Sequence, residues 1–85
     1  MFKITKIESH CEAFFPKPKS KKIIYGLEFF VEDTIKYVAV TPSGVLYGFE
    51  TQPSYKGHWK SGKENPIPIA KVEFEGDFLE SVVKL

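Results

Sequence analysis

The chain has 85 residues, 42% of them hydrophobic, with eight Phe, four Tyr and one Trp, which bounds it to a single domain (residues 1–85) with a small, ring-rich core. Its twelve basic residues are all Lys, set against eleven acids for a net charge of +1, which excludes bidentate guanidinium recognition and favours point contacts with phosphates. The single Cys11 excludes an internal disulfide or multi-cysteine metal site, and with no apolar run near the roughly 20 residues of a membrane span and no signal-peptide core, a cytosolic protein is expected.

Residues 2–9 alternate imperfectly and carry β-branched side chains, the pattern of a first strand that residues 10–15 can prolong. Pro16-Lys17-Pro18-Lys19-Ser20-Lys21-Lys22 then brings two prolines and four lysines, a composition that suits neither a central strand nor a core. It is expected to form a basic loop. Residues 23–32, IIYGLEFFVE, read as a second strand with Ile23, Tyr25, Leu27, Phe29 and Val31 on one face and Ile24, Gly26, Glu28, Phe30 and Glu32 on the other. Asp33-Thr34 turns the chain into Ile35. A link of two or four residues places Leu27 and Phe29 with Val38, Val40 and Leu46, and Phe30 with Tyr37, Tyr47 and Phe49; a three-residue link reverses this.

Residues 35–49, IKYVAVTPSGVLYGF, are the best-specified stretch. Pro42, Ser43 and Gly44 supply a three-residue hairpin loop: Pro has a preset φ, Ser is tolerant, and Gly suits the left-handed third position. This loop sets Val40 opposite Leu46, Ala39 opposite Tyr47, Val38 opposite Gly48, Tyr37 opposite Phe49 and Lys36 opposite Glu50. The last two pairs are aromatic and ionic, as cross-strand neighbours favour.

Residues 51–68 hold Pro53, Gly57, Gly62, Pro66 and Pro68 and are too broken for regular structure, a long loop for a small domain. Residues 69–75 resume alternation, with Ala70, Val72 and Phe74 inward and Lys71, Glu73 and Glu75 outward. Gly76 ends this strand. Asp77 can cap a short helix with Glu80 in the capping-box position, and Phe78, Leu79, Val82 and Val83 then cover part of the sheet. The expected fold is mostly β (α+β): a small five-stranded, mainly antiparallel sheet or partly open barrel with a short C-terminal helix.

The hairpin "YVAVTPSGVLYGFETQP" (residues 37–53), the following loop with Trp59, and the tail "IAKVEFEGDFLESV" (residues 69–82) together resemble a recurrent class of short bacteriophage-encoded proteins. The match covers about half the chain and its motifs are structural, with no active site among them. Phe78 stands where that pattern carries a Trp, and the Lys-rich segment lies outside the match. The resemblance implies phage or prophage origin and a role in counter-defence or host takeover. In length and basic-loop character the chain is also similar to phage inhibitors of toxin–antitoxin endoribonucleases, which act on the toxin and in some cases bind RNA.

The charges are unevenly spread. Residues 1–22 carry six Lys against Glu8 and Glu12 (+4), residues 55–63 carry Lys56, Lys60 and Lys63 with no acid (+3), and the remainder is acidic (−6). Tyr55-Lys56-Gly57-His58-Trp59-Lys60-Ser61-Gly62-Lys63 interleaves rings with lysines, the mixture that single-stranded RNA needs, since lysines neutralise phosphates and rings stack on unpaired bases. Lys17, Lys19, Lys21 and Lys22 add phosphate contacts if the two basic loops share one end of the sheet. The RNA-binding set is therefore Lys17, Lys19, Lys21, Lys22, Tyr55, Lys56, His58, Trp59, Lys60 and Lys63. The competing reading has Trp59 folded back as a plug over one sheet face while the lysines merely solvate the loop. Likewise, Phe30, Tyr37, Tyr47 and Phe49 form either an exposed stacking platform or a second small core under the C-terminal segment or the long loop.

Adjacent His10 and Cys11 point to opposite faces of a strand, and no metal-ligand spacing, phosphate loop or nucleophile elbow is present. Neither catalysis nor a cofactor is expected. The preferred function is a non-enzymatic phage-type counter-defence protein that binds RNA and inhibits a bacterial toxin or defence nuclease. The alternative is a purely protein-binding inhibitor that presents Glu73, Glu75, Asp77 and Glu80 to a basic partner.

Overall fold

The computed structural model describes residues 2–11, 19–60, 62 and 66–85, with the backbone alone at Lys19. Its strands are β1 (Lys3–His10), β2 (Lys19–Ile24), β3 (Leu27–Glu32), β4 (Tyr37–Val40), β5 (Val45–Phe49), β6 (Ser54–Tyr55), β7 (Trp59–Lys60), β8 (Ile67–Glu75) and β9 (Val83–Lys84). Five of them form an open antiparallel sheet in the order β1-β8-β5-β4-β9. The mostly β expectation holds. The anticipated C-terminal helix is only a 3₁₀ turn, Phe78–Ser81, whose first amides are met by Asp77: its Oδ1 accepts from Leu79 N at 2.9 Å.

The β4–β5 hairpin has the register that its loop chemistry dictates, from Tyr37↔Phe49 to Val40↔Leu46. Thr41 N donates to Val45 O at 3.0 Å and Gly44 N to Thr41 O at 2.9 Å, closing the Pro42-Ser43-Gly44 loop, with Gly44 at φ +90°. Gly44 has a second reason to be glycine. Its carbonyl accepts from Val72 N at 2.7 Å, and a Cβ there would collide with the Val72 carbonyl oxygen of β8.

Residues 23–32 are not one strand. The chain reverses at Tyr25 (φ +54°) and Gly26 (φ +80°), and β2 pairs with β3 from Ile24↔Leu27 to Lys19↔Glu32. Two successive positive φ values make the two-residue turn whose twist matches a hairpin. Tyr is an unusual occupant of its first position, since the left-handed region costs an L-residue about 1–2 kcal/mol. Packing of the Tyr25 ring on Phe2, 4.9 Å between centroids, offsets that cost. Lys19, Ser20, Lys21 and Lys22 thus lie in a strand and not in a loop, tolerated because a two-stranded ribbon has solvated edges. The place expected for residues 23–32 in the five-stranded sheet is taken by β9, which pairs with β4. Residues 12–18 of the expected strand extension and basic loop lie outside the described residues.

Alternation of β4 and β5 gives the sheet two apolar faces. On the first, Val38, Val40, Leu46, Ala70 and Val72 pack under Ile24, Phe29 and Val31 of the β2–β3 ribbon, with Phe2, Ile4, Ile35 and Ile69 filling the margins. Leu27 and Phe29 join this face, as the even-link reading expects. A bulge helps: Leu46 pairs with Ala70 and Tyr47 with Pro68, leaving Ile69 as an extra residue, so that Ile69 and Ala70 are both buried. On the second face, Ala39 and Phe49 pack with Trp59, Tyr37, Tyr47, Tyr55, Phe78 and Val82. That core draws on both the C-terminal segment and residues 51–68. The latter segment, expected to lack regular structure, contains the two-residue strands β6 and β7, joined through Gly57 with Lys56 N donating to His58 O at 3.0 Å. Leu79, expected to cover the sheet, is half exposed.

Candidate functional site

Val40 is the last residue of β4, and its backbone N–H and C=O lie past the end of β9, where no described strand meets them. Two side chains do. Ser81 Oγ accepts from Val40 N at 2.8 Å and donates in turn to the Phe78 carbonyl, while Trp59 Nε1 donates to Val40 O at 2.8 Å. Trp59 is 6% exposed, and Tyr55 stands edge-on to both Trp59 (5.3 Å) and Phe78 (4.9 Å). The rings expected to stack on RNA bases are therefore core residues that close a sheet edge. Trp59 is the plug of the competing reading, and Tyr37, Tyr47 and Phe49 belong to a second core, not to an exposed platform.

The lysines are divided between two layers. Lys56, His58 and Lys60 are exposed on the β6–β7 turn over the second face, while Lys21 is exposed and Lys22 half-buried on β2 over the first face. Lys19 is placed by register opposite Glu32. Lys17 and Lys63 lie outside the described residues. The two basic segments thus lie over opposite faces of the sheet.

The acidic candidates Glu73, Glu75, Asp77 and Glu80 are all exposed, but Glu75 lies 3.4 Å from Lys3 and Asp77 caps the 3₁₀ turn. Glu73, Glu75 and Glu8 line an open hollow of about 580 Å³ beside Lys71, which is 3.9 Å from Glu8. Such exposed ion pairs are screened and contribute little. Cys11 is half-buried with its N–H bonded to Ile69 O, and exposed His10 stands edge-on to Phe29. Among the described residues no three His, Cys, Asp or Glu converge as metal ligands.

What the sequence reading missed is the outer face of the β2–β3 ribbon. The Tyr25-Gly26 turn shifts the phase of β2 against β3: Ile24 goes inward, 1% exposed, and Ile23 outward, 62% exposed. Phe30 does not join Tyr37 and Tyr47; it points outward from the ribbon at 65% exposure. With Ile23 opposite Glu28 and Lys21 opposite Phe30, the two apolar side chains are diagonal neighbours, and Lys21 Nζ lies 3.4 Å from Glu28. An Ile–Phe pair flanked by a cation and an anion has the make-up of a small protein-contact patch. The signal in the sequence was the Tyr-Gly pair inside an otherwise continuous apolar run.

The ribbon also holds two buried atoms, Tyr25 Oη and Glu32 Oε2, for which the described residues supply no hydrogen bond of ordinary geometry. Burial pushes the Tyr25 hydroxyl well above its ordinary pKa, an effect the nearby Ser81 hydroxyl partly opposes.

No family model, curated protein or solved structure matches this chain. The resemblance to phage proteins accordingly rests on the quoted residues alone.

Proposed function

We propose that this is a phage-type counter-defence protein that inhibits a bacterial toxin or nuclease by occupying its surface, without catalysis, through the outer face of the β2–β3 ribbon. The observation that carries this reading is the Ile23–Phe30 pair, held open to solvent by a ribbon whose other face is committed to the core. Full burial of such side chains against a partner releases about 1.5–3 kcal/mol each. Aromatic anchors of this kind dominate interface energetics. The phage origin comes from the resemblance of residues 37–82, and the class of partner from the similarity in length and basic-loop character to phage inhibitors of toxin–antitoxin endoribonucleases.

The experiment is a pull-down with the tagged protein from toxin-expressing bacteria after RNase treatment, comparing wild type with Ile23→Ser/Phe30→Ser. The reading predicts an RNase-resistant partner that the double variant loses while keeping its melting temperature. Recovery of the same partner by both proteins, or of a partner only when RNA is intact, contradicts it.

The RNA reading retains one observation: Lys56, His58 and Lys60 are exposed together, and the ion pairs among the described residues engage none of them. It predicts a mobility shift of single-stranded RNA that Lys56→Ala/Lys60→Ala abolishes and added salt weakens.

A further inference from the structure

Resting on that protein-binding reading, we propose that the free edge of β2 takes up an extended, acidic segment of the partner as an added strand. The β2–β3 register runs without a shift from Ile24↔Leu27 to Lys19↔Glu32. In a hairpin with a two-residue turn, the pair beside the turn exchanges hydrogen bonds with its opposite number, and so does every second pair after it. Ile24, Lys22 and Ser20 are thereby bonded to β3. The backbone N–H and C=O groups of Ile23, Lys21 and Lys19 face the other way, where no described strand meets them.

Among the described strands, the outer edge of β3 is as regular as that of β2 but belongs to a strand that carries Glu28 and Glu32, which repel an acidic segment, and the edges of the five-stranded sheet are poor templates. The register of β1 is interrupted twice, between Ile4 and Lys6 and between Ile7 and Ser9, and β9 is two residues long. Bulges and shortness are ordinary protections against strand pairing. The edge of β2 is regular, and its protection is lysine. That choice is selective: lysines repel a basic strand, and they repel a second copy of this chain, because β2 against β2 sets lysine opposite lysine. An acidic segment finds the opposite charge on the same edge. Strand addition also fixes what lies above it, since alternate side chains of the incoming segment fall beside Ile23 and so extend the Ile23–Phe30 patch. The segment recognised is therefore extended, with an apolar residue beside Ile23 and an acidic one two positions along, beside Lys21 on the same face.

The probe is a library of short random peptides displayed against the full chain, with Phe30→Ser and Lys21→Glu as counter-selection targets. Both positions are exposed, so melting temperatures matching wild type establish that the variants are folded. The expected binders carry an apolar and an acidic residue two positions apart in an extended segment and bind each variant at least about tenfold more weakly. Methylation of their backbone nitrogens should abolish binding at alternate positions only. Binders with helical spacing or basic composition, binding indifferent to backbone methylation, or no binder sensitive to Phe30→Ser, overturns strand addition. If the RNase-resistant partner of the preceding section still depends on Ile23 and Phe30, the ribbon face survives as the contact surface and only strand addition fails. If peptides are captured but no such partner is found, strand addition stands and the inhibitor reading fails.

Discussion

Gly44 and Gly57 both have positive φ, but they meet different surroundings. At Gly57 (φ +76°) nothing lies within 4 Å of an added Cβ, so Gly57→Ala should cost only the backbone penalty, about 1–2 kcal/mol. At Gly44 the same penalty is joined by a collision with the Val72 carbonyl, which is fixed backbone of a central strand. Gly44→Ala should therefore lose at least about 1 kcal/mol more than Gly57→Ala in urea unfolding. Equal losses would mean that the hairpin loop does not seat on β8. Tyr25 gives a prediction in pH. Its folded hydroxyl titrates above the unfolded value of 10.0, so the folded state keeps a proton that the unfolded state releases. Stability from this group is complete below pH about 10 and declines as pH rises further. Tyr25→Phe removes that contribution, and alkaline melting curves should fall less steeply for the variant than for wild type.

The β4–β5 hairpin was legible because its information is local: a Pro-Ser-Gly loop fixes the register, and the register places Val38, Val40 and Leu46 on one side and Tyr37, Ala39 and Tyr47 on the other. The β2–β3 ribbon was not, because Tyr25 adopts a left-handed conformation that its residue type disfavours and that contacts distant in sequence, such as Phe2, help to sustain. One turn that local signals mark only weakly reverses the phase of β2, so that Ile24 and not Ile23 faces inward, and with β3 in a ribbon over the sheet and not within it, the face of Phe30 meets solvent and not Tyr37 and Tyr47. The site suffered for the same reason: Tyr55 and Trp59 look like nucleic-acid residues in a flexible loop until Val40, distant in sequence, is found to need a donor. Neighbouring phenylalanines test the phase directly. Phe29 is fully buried and Phe30 is not, so Phe29→Ala should cost about 3–5 kcal/mol and Phe30→Ala within about 0.5 kcal/mol of nothing, by thermal or urea unfolding. Comparable costs would mean that β3 does not turn one face to the core and the other to solvent.

On the scale of the whole molecule, the five-stranded sheet is covered on one face by the ribbon and on the other by β6, β7 and the 3₁₀ turn, so both of its faces are spent on cores. What remains for function is the outside of each covering layer. One carries lysines and a histidine on a turn; the other carries an exposed Ile–Phe pair beside a free, lysine-lined strand edge. The second is the proposed working surface. A photoreactive benzophenone amino acid placed in turn at positions 30 and 58, followed by irradiation in toxin-expressing bacteria and RNase digestion, tests this most directly. The expected result is a protein adduct at position 30 that survives RNase and none at position 58. An adduct confined to position 58, or one at position 30 that RNase removes, would contradict it.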